Sequence, residues 1–123
     1  GLDELITKRH SLAMYLWKNL MKDKDFIVLN KVDINSVAFF YTGGKDRAAE
    51  EVNRINKAIH AGLIEEGKYH LHQFSIPDSG LFEKGSLVYP LRFMCGNPNV
   101  TTRDVDDMIK YVRTLGKKIE KTK

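Results

Sequence analysis

The segment Leu87–Ile109 constrains the fold most strongly, because it contains a strand, a break and a helix in succession. Leu87–Cys95 is predicted to be a β-strand, in which the period of two places one set of side chains on the same face: Leu87, Tyr89, Leu91, Phe93 and Cys95. Gly96–Asn99 interrupts the strand, because proline lacks the N–H that a ladder needs and glycine tolerates positive φ. Thr101 and Asp104 have the spacing of a capping box, which predicts a helix N-terminus. The apolar stripe of that helix comprises Val105, Met108, Ile109, Val112 and Leu115.

Arg92 lies on the second face of this strand, together with Val88, Pro90 and Met94. Burying an unpaired guanidinium costs several kcal/mol, so we expect this side chain to meet an anion. Its planar fork suits a carboxylate or a phosphate bound through two hydrogen bonds. The pattern leaves two interpretations open. Arg92 is either structural, in an ion pair of this chain or at an exposed edge, or it binds a ligand.

The rest of the chain predicts two further helices and three further strands. The first helix runs from about Leu2 to Met21, and the second begins at a candidate cap, Asp46, and ends at Gly67. The buried side of the second helix is predicted to hold Val52, Ile55, Ile59 and Leu63. The strands are Phe26–Leu29, Ile34–Tyr41 and Tyr69–Ile76, and the first two are close enough in sequence to pair as a hairpin.

This order of elements indicates one α+β domain over residues 1–123. We expect a two-layer sandwich, in which helices cover one face of a mainly antiparallel sheet of about four strands. Pro90 is expected at an edge or a bulge of that sheet. The face that carries Arg92 is partly apolar and free of helices, and such a face usually docks on another surface.

The composition is that of an ordinary globular domain, with 42% hydrophobic and 29% charged residues. Much of the net charge of +4 comes from lysines in the last helical turns, where the helix dipole favours cations, so it implies no nucleic-acid partner. The single cysteine, Cys95, excludes an internal disulfide and is compatible with a reducing cytosol. No apolar run approaches the roughly 20 residues of a membrane span, so no membrane partner is expected.

Three other candidate sites carry weaker signals. His70 and His72 point the same way on a strand and are candidate metal ligands, but no further ligand has convincing spacing, which favours surface histidines. Cys95 is a candidate nucleophile, although its place on the apolar face favours a buried thiol. Thr42–Lys45 puts two glycines before a helix without the full spacing of a phosphate-binding loop, which favours an ordinary loop.

One family shares this arrangement. The order Leu91–Phe93, Asn97–Pro98 and Thr101–Asp106, followed by an amphipathic helix, resembles the C-terminal end of the pyridoxal-phosphate-dependent decarboxylases. That group includes the glutamate, cysteine-sulfinate, diaminobutyrate and aromatic-amino-acid decarboxylases. Elsewhere the likeness depends on element order and apolar pattern, including the long first helix and the aromatic-rich strand that ends at Tyr41.

The resemblance implies the small C-terminal domain of a fold-type I enzyme, within a cytoplasmic homodimer that removes the α-carboxylate of an amino acid. In the glutamate decarboxylase branch the arginine of this strand lies at the substrate's carboxylate, and the matching position is Arg92. The family's cofactor lysine follows a histidine, and this sequence contains no His-Lys pair. Pyridoxal phosphate is therefore expected to bind to the large cofactor domain of the parent chain, and the 123-residue chain alone is expected to be inactive.

Two hypotheses from other classes stay open. A chain that begins with Gly1 and enters a helix at once looks like a piece of a larger protein or a product of tag cleavage. It could instead be a free-standing α+β module that binds protein, a small molecule or RNA on its open sheet face, although the signature of RNA-binding sheet modules is missing. The other hypothesis is a small enzyme that uses Cys95.

Overall fold

The computed structural model describes residues 2–29, 36–94 and 99–122. The helices in these ranges are α1 (Leu2–Lys22), α2 (Ala49–Glu66) and α3 (Thr102–Glu120). The strands are β1 (Phe26–Val28), β2 (Ser36–Tyr41), β3 (His72–Gln73), β4 (Ile76–Pro77), β5 (Leu87–Val88) and β6 (Leu91–Met94). Within the same ranges, no helix has the length and apolar character needed to cross a membrane. Ile34, Asn35 and Cys95, predicted at strand ends, lie outside the described residues.

Four strands form an antiparallel sheet in the order β1-β2-β6-β3. The central pair is held in register by Val37↔Phe93, and β3 joins the outer side of β6 through His72↔Arg92. The β1–β2 hairpin predicted from the sequence is confirmed. The α+β sandwich with an antiparallel sheet is confirmed as well.

One face of this sheet is covered by the three helices. Alternate residues of the central strands, including Phe39, Tyr41 and Leu91, point to this side and are fully buried. The helices contribute Leu12, Leu16, Leu20, Ile55, Ile59, Leu63, Val105, Met108 and Val112 to the same core. All four apolar positions predicted for α2 are buried, because a 3.6-residue period places them on one side of the helix.

The opposite face is covered only in part. Phe40, which points to this side, is fully buried beside the start of α2 and against Phe82, and the two rings meet edge-on with centroids 5.1 Å apart. The short β4–β5 ladder, paired through Ile76↔Val88, forms part of this cover. Beyond it, the face opens into a cleft at Arg92.

Two strand predictions are wrong in extent. Tyr69–Ile76 is not one strand, because only β3 joins the main sheet while β4 pairs with β5. The strand predicted from Leu87 onward is divided into β5 and β6, because Pro90 lies between them and offers no N–H to a ladder. Leu87, predicted on the same face as Leu91, is 53% exposed, since β5 belongs to the second sheet.

Two helix ends were predicted correctly. Thr101 Oγ1 accepts a hydrogen bond from the Asp104 N–H at 3.3 Å, and Asp104 Oδ2 accepts one from the Thr101 N–H at 2.8 Å, which completes the capping box. Gly67 ends α2 in the left-handed region with φ of 68°, and its N–H donates to the Leu63 carbonyl. A glycine adopts this conformation without steric cost, which is why it signals the end of a helix.

The predicted cap of α2 is wrong. The N-cap is Ala48, in extended backbone and without a side-chain hydrogen bond, so Asp46 lies too early to cap the helix. The neighbouring Arg47 explains the late start. Its Nε donates to the Thr42 carbonyl and its Nη2 to Glu120 Oε2, both at 2.7 Å, which holds the chain against β2 and α3 before the helix begins.

Tyr41 connects β2 to the last turns of α3. Its ring packs directly on Gly116, and its hydroxyl donates a 2.5 Å hydrogen bond to Glu120 Oε1 one turn further along. Burial and the acidic acceptor raise the pKa of Tyr41, so the phenol stays protonated. Gly116 is therefore needed for its small size, because it lets strand and helix approach closely.

We expect Gly116→Ala to lower the free energy of unfolding by about 2 kcal/mol, since a buried methyl group there forces the packing apart. The added Cβ would lie 2.6 Å from two carbons of the Tyr41 ring. Gly62→Ala is the matched control, because its Cβ would make an ordinary 3.4 Å contact with Leu115 and should stabilise α2 by about 0.5–1 kcal/mol. Urea unfolding of both variants measures the difference, and equal midpoints would contradict the close packing of Tyr41 on Gly116.

Candidate functional site

Arg92 lies in the middle of β6, between Ala38 of β2 and His72 of β3 in the register of the sheet. It is half-buried, and it points away from the helices because Leu91 and Phe93 on either side face the core. The small side chain of Ala38 leaves room for an open cleft of about 430 Å³ beside the guanidinium. Its walls include Leu29, Ala38, Phe74, Ile76, Asp78 and Val88.

The guanidinium of Arg92 lacks a carboxylate partner in the part of the chain that the structure describes. Its Nε is buried, and the Nε–H group donates no hydrogen bond there. Other arginines behave differently: Arg47 meets Glu120, and Arg113 donates to both Asp23 and Asp25. Within the described ranges the structural ion pair is therefore not observed, and the cation faces the cleft.

Phe74 is the aromatic neighbour of this cation. The guanidinium carbon of Arg92 lies 5.2 Å from the centroid of the Phe74 ring, which is within the range of a cation–π contact. Phe74 follows β3 directly, and the pairing of β3 with β6 brings it beside Arg92. The contact shields the cation without supplying a counter-charge.

Asp78 is an acidic residue that lines the cleft, and its carboxylate is already engaged. It is only 4% exposed. The N–H groups of the next residues donate to it from Gly80 (3.3 Å), Leu81 (3.0 Å), Phe82 (2.6 Å) and Glu83 (2.7 Å). Burial alone would raise the pKa of Asp78, but these four hydrogen bonds outweigh it and hold the pKa below its ordinary value. The Asp78 carboxylate therefore stabilises the 78–83 turn and does not form an ion pair with Arg92.

The lowered pKa of Asp78 makes stability depend on pH in the acid range. Because the folded pKa lies below the ordinary value of 3.8, the unfolded chain binds the proton first. The stabilisation should be complete well above that value and lost as the pH falls through it toward the folded pKa. Urea unfolding from pH 6 to pH 2 checks this, with Asp78→Asn expected to remove part of the acid dependence. Asp107→Asn, at an exposed carboxylate, is the control, and an identical pH profile in all three proteins would contradict the assignment.

The weaker candidate sites fare as follows. His70 and His72 do point the same way, with ring centroids 4.9 Å apart, and both are exposed. The described residues contain no group of three or more histidine, cysteine or acidic side chains able to hold a metal ion. Gly43 and Gly44 direct their N–H groups to Asp25 O and Thr42 Oγ1, so this pair does not form a phosphate cradle. Cys95 lies outside the described residues.

A pyridoxal phosphate site does not fit the described residues. The cofactor needs a lysine held beside it, an acid at the ring nitrogen and an anchor for the phosphate. Every lysine in the described ranges is exposed. Asp78, buried in the cleft, is bound by its own turn rather than presented to a ligand. This part of the chain offers a cation for an anionic group and no set of residues for the cofactor itself.

Arg92 was singled out from the sequence, whereas its neighbours Phe74 and Asp78 were not. Asp78 belongs to the Pro77–Gly80 stretch, whose composition predicts a turn or a longer loop. An aspartate at the start of such a turn can accept hydrogen bonds from N–H groups two or three residues later, and this is the signal that could have indicated its role. Phe74 left no such signal, because its contact with Arg92 depends on how β3 is registered against β6.

The fold and cleft define a small α+β domain with a cation on the outer face of its sheet. No family model matches the sequence, and no curated protein matches it significantly. Solved structures do match. Oryza sativa TDC, solved with PLP and tryptamine, has a TM-score of 0.78 at 17% identity over 96% of this chain and 24% of its own. Mouse CSAD has a TM-score of 0.75 at 15% identity, over 94% of this chain and 24% of its own.

A third structure is the glutamate decarboxylase domain of a diaminobutyrate-pyruvate transaminase and L-2,4-diaminobutyrate decarboxylase from Vibrio parahaemolyticus. It matches with a TM-score of 0.74 at 18% identity, over 94% of this chain and 22% of its own. At these identities the likeness establishes the fold, which is that of a domain of the pyridoxal-phosphate-dependent decarboxylases. The resemblance seen in the sequence is thus confirmed for the fold, and the chain spans about a quarter of the length of the proteins it matches.

Proposed function

We propose that this chain is the C-terminal domain of a pyridoxal-phosphate-dependent amino-acid decarboxylase of the glutamate decarboxylase type, and that Arg92 binds a carboxylate of the substrate. One observation carries the proposal. A half-buried guanidinium without a carboxylate partner among the described residues faces a cleft, in a fold shared with solved PLP decarboxylases. An arginine in that position is stabilised by a planar anion.

In this role Arg92 supplies orientation and charge and moves no proton. Two parallel N–H···O bonds would fix both the position and the plane of the carboxylate, which the single point charge of a lysine does not do. Holding a substrate in one orientation removes much of the entropic cost of its reaction. Ala38 leaves the space in which the carboxylate would lie.

The rest of the site belongs to the parent protein under this proposal. Its large domain would supply the lysine, the ring-nitrogen acid and the phosphate anchor for pyridoxal phosphate, and would cover the face that carries Arg92. The parent would be a cytoplasmic homodimer that acts on an amino acid. The cleft beside Arg92 is open, which leaves room for such a domain to cover it.

The test is an assay of the full-length polypeptide that contains this chain. Carbon dioxide release is measured from L-glutamate, L-cysteine sulfinate, L-2,4-diaminobutyrate and L-tryptophan, with and without added pyridoxal phosphate. We expect cofactor-dependent release from at least one of the four, and none from the 123-residue chain alone. Release from none of the four by the full-length protein would contradict the proposal.

The open cleft also suits a second function, that of a free-standing binding module for an anionic partner. The coding sequence upstream of Gly1 discriminates between the two. A reading frame that continues into a domain with a His-Lys pair supports the decarboxylase, whereas a start codon at this point supports the module.

A further inference from the structure

We infer that Phe74 is a positioning residue for the carboxylate site: its ring holds the Arg92 guanidinium in place, while the amide-bound Asp78 leaves the charge of that guanidinium available to a ligand. The inference rests on the proposed function of Arg92 and adds the residues that prepare it.

The conformational freedom of the Arg92 side chain sets part of the cost of binding a ligand. A long side chain without hydrogen-bond partners populates many rotamers, and a ligand that binds one of them must restrict the others. The contact with Phe74, at 5.2 Å from guanidinium carbon to ring centroid, restricts Arg92 before the ligand arrives. A phenylalanine ring has no acceptor oxygen, so it occupies none of the N–H groups that a carboxylate needs.

Asp78 is an acid that would compete with a ligand carboxylate for Arg92. Asp78 lines the same cleft as Arg92, and an unengaged carboxylate there would be the natural partner of the guanidinium. Four backbone N–H groups of the 80–83 turn point at this carboxylate instead. The turn thus satisfies Asp78 internally, and no ion pair between the two side chains has to be broken when a ligand carboxylate binds.

The chain on either side of Phe74 is held by hydrogen bonds between strands. Phe74 follows β3, whose register with β6 is set by His72↔Arg92. Two residues later the chain enters β4, which is tied to β5 across the partly covered face. Phe74 is therefore held by a sheet pairing on one side and by a ladder on the other, so its backbone has a defined place relative to Arg92.

The test uses steady-state kinetics of the full-length protein, with the amino acid of the four-member panel that it turns over fastest. Phe74→Leu should raise KM about fivefold and change kcat less than twofold, which corresponds to about 1 kcal/mol of binding. Phe74→Tyr keeps the ring and should restore KM to within twofold of the wild-type value. In the Arg92→Ala background, Phe74→Leu should change KM less than twofold, because the cation that the ring contacts is gone.

Phe82→Leu is the matched control, because this ring packs on Phe40 and is not among the residues that line the Arg92 cleft. It should lower the melting temperature and leave KM unchanged. If Arg92→Lys and Arg92→Ala both keep the wild-type KM and kcat, the proposed function itself fails. Two other results would overturn only the positioning role of Phe74, provided that the Arg92 variants lose affinity. One is an unchanged KM in Phe74→Leu, as in Phe82→Leu. The other is a KM in Phe74→Tyr that is not restored toward the wild-type value.

Discussion

Replacing Arg92 by alanine in the full-length protein should lower kcat/KM by about 100-fold or more, since truncating one partner of a desolvated charge pair costs about 3 kcal/mol or more. Arg92→Lys keeps the charge but loses the planar guanidinium that forms two hydrogen bonds, so kcat/KM should fall by about tenfold, an intermediate effect. The measurement is steady-state decarboxylation with the substrate identified from the panel. Arg103→Ala, at an exposed position of α3, is the control and should leave kcat/KM unchanged.

The stability of Arg92→Ala also distinguishes a ligand-binding arginine from a structural one. Because the guanidinium of Arg92 has no ion pair among the described residues, its removal should lower the free energy of unfolding by less than about 1 kcal/mol. A structural pair broken in the interior would cost about 3–5 kcal/mol. Urea unfolding of Arg92→Ala therefore has a clear outcome: a large loss of stability with unchanged kcat/KM would mean that Arg92 serves the fold.

The second large effect is expected at Asp78. Asp78→Ala removes the acceptor of four backbone N–H groups in the 80–83 turn. Hydrogen bonds to a charged group contribute about 1.5–3 kcal/mol each, but the turn is partly exposed and water will replace some of them, so we expect a loss of about 3 kcal/mol. The free energy of unfolding from urea titration at pH 7 measures it.

Further variants of the same turn separate the effect of the Asp78 carboxylate from that of its neighbours. The turn leads from β4 to β5 and carries Phe82, which covers Phe40. Asp78→Asn retains one acceptor oxygen and should lose less stability than Asp78→Ala. Glu83→Ala changes an exposed side chain of the same turn and leaves its N–H in place, so it should stay within about 0.5 kcal/mol of the wild type. Equal stabilities for Asp78→Ala and Glu83→Ala would contradict the role given to the carboxylate.

The helices were predictable because their signals are local. The apolar period of α2 and α3, the capping box at Thr101 and the glycine stop at Gly67 each depend on residues within two turns of one another. The cap of α2 was misplaced because Arg47 is held by Glu120, 73 positions away in the sequence. A contact of that range leaves no local trace.

The strands were predicted less well, because pairing depends on which neighbour is available. The 69–76 segment alternates like one strand, yet it divides its hydrogen bonds between two sheets. Arg92 was singled out because a charge within an apolar strand is conspicuous in any register. Phe74 and Asp78 were not predicted to be its neighbours, because only the three-dimensional pairing brings them to the same cleft.

The most direct measurement is a structure of the full-length protein with its cofactor and a substrate analogue that does not react. For a glutamate-type enzyme this analogue is glutarate. We predict two hydrogen bonds of about 2.7–2.9 Å between the Arg92 guanidinium and a carboxylate of the ligand. The contrary result would be a ligand carboxylate held by another cation, with Arg92 paired to an acidic side chain of the protein.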